Sequence, residues 1–218
     1  SKIETPFMKA SENLDSKDWS KIAESVYKLL EDKNISGVVI THGTDFLHYS
    51  SAALSFALRD LSKPVVFTYS QRSSDRASSD AKLNLISAVK VAISDIAEVV
   101  IVGHENNNDE YCQVLRGNKT RKMHSSRRDC FRPINSRAIA RVKDNVEFLS
   151  EYNPRRNSKL KLMNKFSDKV ALIKFYPGMD SKVIDFFIKE KYKGLVIEAS
   201  GLGHIASSEA RNNLIPSI

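Results

Sequence analysis

The strongest constraint in this chain is an alternation. Between residues 16 and 103, stretches with helical spacing take turns with short β-branched runs. Residues 16–30 set Trp19, Ile22, Ala23, Val26, Leu29 and Leu30 at helical spacing, and Asp15 or Ser16 can cap the start. Residues 37–41, Gly-Val-Val-Ile-Thr, read as a buried parallel strand. Residues 47–61 read as a second helix and 64–68 as a second strand. Residues 78–94 predict a third helix, with Leu83, Ile86, Val89 and Ile93 on one stripe, and 99–102 a third strand. Strands alternating with helices in this way predict a doubly wound, mostly parallel α/β sheet. The scarce glycines agree. Gly37 and Gly194 stand just before apolar runs, and Gly43, Gly201 and Gly203 follow them.

The pattern breaks after Gly103. Residues 104–110 are polar and read as a loop. Residues 116–143 carry ten lysines and arginines against one acid, Asp129. Residues 150–169, with Pro154 and several lysines, read as a linker. A strand over 170–175, a helix over 180–191 and a strand over 194–198 then open a second, smaller α/β domain. The expected organisation is a first domain over 1–149, a linker over 150–169 and a partial second domain over 170–218.

Composition narrows the class. Lys plus Arg is 34 and Asp plus Glu is 26, a net charge of +8, which excludes an acidic disordered chain. Apolar residues make up 41%, enough for a sizeable core. No stretch approaches the roughly 18 consecutive apolar residues of a membrane helix. Cys112 and Cys130 form neither a disulfide framework nor a CxxC pair. A basic, cytosolic globular protein is the expectation.

In open α/β sheets, ligands bind beyond the carboxyl ends of the strands. Three polar clusters fall there: Thr41-His42-Gly43-Thr44-Asp45, residues 70–76 (Ser-Gln-Arg-Ser-Ser-Asp-Arg), and Ser200-Gly201-Leu202-Gly203-His204. Each also reads as ordinary helix capping, Asp45 for the helix beginning near Phe46. Thr44-Asp45 is the most chemical pair. A threonine hydroxyl needs a neighbour to take its proton, and a lysine held by a carboxylate can do so. The histidines at 42, 48, 104, 124 and 204 lack metal-ligand spacing, and Gly201-Leu202-Gly203 is too short a fragment for dinucleotide binding. The basic run at 116–143 could meet nucleic-acid phosphates, but a solvated face or salt bridges to acids elsewhere is the favoured reading. Its one aromatic, Phe131, gives no platform for base stacking.

Two of these motifs carry a resemblance. Thr41-His42-Gly43-Thr44-Asp45 and residues 71–80, Gln-Arg-Ser-Ser-Asp-Arg-Ala-Ser-Ser-Asp, resemble the bacterial-type L-asparaginase family. Residues 121–132, Arg-Lys-Met-His-Ser-Ser-Arg-Arg-Asp-Cys-Phe-Arg, are more similar to its tRNA-amidotransferase branch than to free-standing asparaginases. Phe175-Tyr176-Pro177-Gly178-Met179 and Gly201-Leu202-Gly203-His204 match as well.

The resemblance implies hydrolysis of the side-chain amide of glutamine or asparagine by a threonine nucleophile, with no cofactor and no metal. In that branch, an asparaginase-like component releases ammonia to a companion component. The companion converts Glu-tRNA(Gln) to Gln-tRNA(Gln) and holds most of the tRNA. A homodimer is implied, the second domain of one protomer closing the site of the other. Carried over by position, Thr44, Asp45 and Lys122 are the catalytic group. Lys122 activates Thr44 or the attacking water, and Asp45 orients Lys122 and holds the substrate's α-amino group. Ser11 and Glu12 bind the substrate's α-carboxylate and α-amino groups, and His204 reaches the neighbouring site.

The family pattern also sets expectations about what lies beyond the chain. A first strand with another threonine is expected before residue 1, and the rest of the second domain after Ile218, so the chain reads as a fragment. Phe46 stands where the family usually has Thr, Tyr69-Ser70 replaces Gly-Ala, and Ala199-Ser200 replaces Gly-Thr. Bulk at 46 and 69 is expected to reshape the pocket. A free-standing L-asparaginase and a non-catalytic RNA- or partner-binding relative are the competing readings.

Overall fold

The computed structural model describes residues 2–218. They divide into two compact units, one running to Phe166 and one over Ser167–Ile218. In the first, a single 3-10 turn at Ser11–Asn13 precedes helix α1 (Ser16–Glu31). Strand β1 (Val38–Thr41), helix α2 (Leu47–Ala57), strand β2 (Leu58–Arg59), strand β3 (Val65–Thr68), helix α3 (Ala81–Ala92) and strand β4 (Val99–His104) follow. The basic segment and its surroundings contribute β5 (Cys112–Arg116), β6 (Thr120–Lys122), β7 (Phe131–Pro133), β8 (Ala140–Val142) and β9 (Val146–Phe148). Strand β10 (Lys161–Leu162) closes the unit.

The main sheet has the order β1-β3-β4-β5-β8-β9. β1, β3 and β4 run parallel, and β5, β8 and β9 extend the sheet antiparallel. Alternate residues of β3 face opposite layers. Val65 and Phe67 pack with Ile22, Val26, Leu47 and Leu54 of α1 and α2, whereas Val66 packs with Ala88 and Val91 of α3. Helices therefore cover both faces, and the α/β expectation holds. α1 begins as its sequence asks. The Asp15 side chain accepts from Lys17 and Asp18 N–H, and Asp18 reaches back to the Asp15 N–H, a reciprocal capping box.

α3 departs from the expected stripe. Ile86, Val89 and Ile93 are 44, 49 and 68% exposed. Asn84, Ser87, Ala88, Val91 and Ala92 face inward instead. The reason is close approach. A Cβ at Gly37 would lie 2.2 Å from the Ala92 carbonyl oxygen, so the end of the helix comes close to the chain entering β1. α2 is also shorter than expected, ending at Ala57 before β2.

The basic run at 116–143 folds into short strands that its charges conceal. Many of those charges face acids. Arg116 meets Glu98 at 3.1 Å, Arg128 meets Asp109 at 2.6 Å and Arg141 meets Glu105 at 2.8 Å. Arg127 and Arg132 both bond the buried Asp129. Burial pushes the Asp129 carboxyl up, but the two guanidiniums outweigh it and hold the group below its ordinary range. These pairs favour the salt-bridge reading of the segment over a nucleic-acid face.

Residues 150–166, read from the sequence as part of a linker, run along the first unit. β10 pairs antiparallel with β2, and Leu160, Leu162 and Phe166 pack on the core around Leu54. In the second unit, β11 (Val170–Lys174) and β12 (Gly194–Glu198) pair in parallel, joined by α4 (Lys182–Lys189). Ile173, Met179, Ile184 and Leu214 form its core. Among the described residues, no helix is long and apolar enough to cross a membrane.

Candidate active site

The candidate site sits at the carboxyl end of β1. After Thr41 the chain turns through His42, Gly43, Thr44 and Asp45 into α2. A cap role for Asp45 is not what the structure uses. α2 begins after Phe46 with no side-chain cap, and Asp45 points elsewhere. Lys122, the last residue of β6, arrives from the hairpin opposite. Its Nζ lies 2.9 Å from Thr44 Oγ1 and 2.7 Å from Asp45 Oδ1. The Lys122 side chain is only 11% exposed, while that of Asp45 is 64% exposed. The stem of Lys122 is thus shielded, and its amine joins the threonine hydroxyl to the carboxylate. Three residues drawn together from the resemblance meet here within hydrogen-bonding distance.

Hydrogen bonding fixes the hairpin that delivers Lys122. β6 and β7 pair antiparallel, Lys122 opposite Phe131, and the Met123 N–H donates to the Cys130 carbonyl at 2.7 Å. Phe131 is buried and anchors the hairpin to the first unit's core. In the hairpin itself, Cys130 is buried and free, and burial pushes its thiol up to about 12. It remains a neutral thiol at physiological pH, unsuited to act as a nucleophile.

Ser11 joins the same turn. It is buried, and its Oγ accepts the Phe46 N–H at 3.3 Å. A Cβ at Gly43 would press to 3.1 Å from that oxygen, so glycine at 43 admits Ser11. Glu12 follows Ser11 in the 3-10 turn and is exposed. His204 lies in the second unit, exposed, its N–H on the Ser200 hydroxyl at 2.9 Å.

Beside Asp45 and Lys122 opens a cleft of about 340 Å³, lined also by His48, Met123, His124 and Ser125. These four lay outside the sequence-based site. His48 had a signal: it lies three residues after Asp45, in the helix that the turn bearing Thr44 and Asp45 leads into. Burial, with Arg121 and Lys122 nearby, lowers the His48 imidazole to about 4, so it is neutral beside the two cations. His42 is also lowered by burial, against a contact from its Nδ1 to the Gly43 carbonyl.

The expected bulk at 46 and 69 resolves differently at the two positions. Phe46 is 42% exposed and stacks along His48 on the outside of α2. Tyr69 turns inward, buried against Phe131 with ring centroids 4.7 Å apart. Gly103 makes room for it, since a Cβ there would fall 2.4 Å from the tyrosine ring. Tyr69 therefore fills core and not cleft.

Comparison with known proteins bears on the fold and family of the chain. The family model "Asparaginase, N-terminal" matches residues 1–154, and "Glutaminase/Asparaginase C-terminal domain" matches residues 169–215. The chain is 51% identical over 211 residues to the D component of glutamyl-tRNA(Gln) amidotransferase from Pyrococcus horikoshii, covering 95% of this chain and 47% of that protein. It is 48% identical over 211 residues to the protein of the same name from Thermococcus kodakarensis, with the same coverage. The chain thus spans about half the length of the curated relatives it matches. Among solved structures, the thermostable L-asparaginase from Thermococcus kodakarensis superposes with a TM-score of 0.84 at 28% identity, over 95% of this chain and 60% of that one. L-asparaginase I from Vibrio cholerae gives 0.81 at 26% identity, over 96% and 61%. Shared fold, matched models and the joined threonine, lysine and aspartate lead to one conclusion: this chain belongs to the asparaginase family.

Proposed function

We propose that the protein carrying these residues is an amidohydrolase that releases ammonia from glutamine as the D component of a glutamyl-tRNA(Gln) amidotransferase. One observation carries the chemistry: Lys122 Nζ stands between Thr44 Oγ1 and Asp45 Oδ1, within 2.9 Å of each. In the proposed step, Lys122 Nζ takes the proton of the attacking hydroxyl, of Thr44 or of a water, as one of its own N–H protons passes to Asp45 Oδ1. The new C–O bond forms at the amide carbon, and the C–N bond breaks as nitrogen is protonated and leaves as ammonia; where Thr44 is the attacker, a water then cleaves the resulting Thr44 ester and frees the acid. Asp45 accepts a hydrogen bond from Lys122, holding its amine towards the hydroxyl. Ser11 and Glu12, on the turn that bonds the Phe46 N–H, suit the charged end of an amino-acid substrate. His204 is the further substrate-binding residue. The resemblance to the amidotransferase branch carries the partner: a companion E component that binds most of the tRNA and consumes the ammonia in the cytoplasm, with the protein itself a homodimer.

A free-standing L-asparaginase is the second reading, favoured by the two solved structures named above. Purification from the native cell separates them. Co-purification with a tRNA-binding companion, and ammonia release from glutamine by the full-length protein, support the amidotransferase. A protein that purifies alone and hydrolyses asparagine in preference to glutamine contradicts it.

A further inference from the structure

Behind Lys122 runs a second polar chain that the hydrolysis scheme does not use. Asp80, Asn84 and His104 are wholly buried. Asp80 stands at the start of α3 yet leaves that helix without a side-chain cap. Its carboxylate accepts the Gln71 N–H at 3.0 Å, the Arg72 N–H at 2.9 Å and the Ser70 hydroxyl at 3.2 Å. Asn84, one turn on, donates from Nδ2 to Asp80 Oδ2 and to the Tyr69 carbonyl, each at 3.0 Å. Asn84 Oδ1 faces His104 Nδ1 at 2.6 Å. His104 Nε2 faces Asp109 Oδ1 at 3.1 Å, and that same oxygen accepts Arg128 Nη1 at 2.6 Å. Arg128 also bonds the Asn107 carbonyl, and its own carbonyl accepts the Tyr69 hydroxyl at 3.0 Å.

Most bond directions follow from the neighbouring groups. Both Asn84 donors go to acceptors, so its oxygen accepts, and the Cys112 thiol lies 3.5 Å from it beside His104 Nδ1. Asp109 Oδ1 already accepts from Arg128. The His104 ring thus faces an acceptor at each nitrogen, and a ring with one N–H donates to one of them and only faces the other. Buried polar groups are costly without partners, and here the described chain leaves Asp80, Asn84 and His104 all engaged. Apolar side chains could hold helix and sheet together without that expense. What they could not do is grip loop backbone. The chain ends on three loops, residues 70–79, 105–110 and 123–130. The last of these bears Met123, His124 and Ser125 of the cleft, and Gln71 Nε2 donates to the Ser125 carbonyl.

We infer that His104 is a positioning residue. Through Asn84 and Asp80 on one side and Asp109 and Arg128 on the other, it sets the loops flanking Lys122. The inference rests on the amidohydrolase reading above for its effect on rate. It does not rest on that reading for its effect on loop order.

The test uses the full-length protein with its tRNA-binding companion. Asp109 faces solvent, its side chain 70% exposed, so Asp109→Ala is not expected to impair folding. It should lower kcat for glutamine about tenfold with a smaller change in KM, because displaced cleft loops lose alignment more than affinity. His104→Phe should lower kcat about 100-fold in the folded fraction. In both variants, backbone hydrogen exchange should quicken at residues 70–72 and 123–130 and stay unchanged in α1. Wild-type kcat and KM in Asp109→Ala, with unchanged exchange, would overturn the inference. If the unaltered protein hydrolyses neither glutamine nor asparagine, the functional reading fails. Exchange alone then decides: faster exchange at 123–130 in Asp109→Ala sustains the positioning role, and wild-type exchange there refutes it.

Discussion

Two turns leave the carboxyl ends of the neighbouring parallel strands β1 and β3, and each places an aspartate near the start of a helix. In neither turn does that carboxylate cap its helix. Asp45, on the short turn after β1, is largely exposed and reaches across to Lys122. Asp80, ending the long turn after β3, is buried and gathers backbone N–H groups of its own loop. The difference is one of solvent. An exposed ion pair contributes only about 0–1 kcal/mol, so Asp45 adds little to folding and is free for chemistry. A buried carboxylate bonded by several donors is expensive to remove, so Asp80 shapes the loop.

Exchanging the two aspartates' roles is the sharpest way to break this comparison. Asp45→Asn in the full-length protein should slow ammonia release by about 10³-fold while stability to urea changes by less than about 1 kcal/mol. Asp80→Ala should do the reverse in kind, losing about 2–4 kcal/mol of unfolding free energy, because the N–H groups of Gln71 and Arg72 lose their acceptor. A loss below about 0.5 kcal/mol would show that the loop does not depend on the buried carboxylate.

A smaller effect concerns pH. His48, in the first turn of α2, has a folded value of about 4, lowered from 6.5 by burial and then by Arg121 and Lys122. Between those values the unfolded chain binds a proton that the folded chain does not. This contribution to stability is therefore complete above about 6.5 and declines as pH falls towards 4. His42, lowered by burial, acts with the same sign. Replacing His48 with Gln should flatten the fall in thermal midpoint across that window. An unaltered slope would place the pH dependence elsewhere. The smallest expected effect is Ile93→Lys at the exposed position just after α3, within about 0.5 kcal/mol of wild type. A larger loss would mean that this position is covered.

The parallel half of the sheet was legible because its strands are continuous β-branched runs between helices. The antiparallel half was not. β6, β7 and β8 are each three residues long and lie in a run of charges, so no two-residue alternation could emerge. α3 misled because its inward face is built from Asn84, Ser87, Val91 and alanines, whereas Leu85, Ile86 and Val89 face out. Thr44 and Asp45 stood out as a pair from their place at a strand end. Lys122, 77 residues beyond Asp45, came only from the resemblance. Hydrophobic periodicity cannot reveal which side chain crosses a cleft. The role of Asp80 was hidden for the same reason, since its motif was visible and its bonds were not.

The central claim is that Lys122 joins Thr44 and Asp45 into a group that breaks a side-chain amide. Ammonia release from glutamine by the full-length protein, with and without Lys122→Met, tests it most directly. The variant should fold with an unfolding midpoint near that of wild type and lose about 10²–10⁴-fold in rate. A folded Lys122→Met protein that releases ammonia at the wild-type rate would contradict the claim.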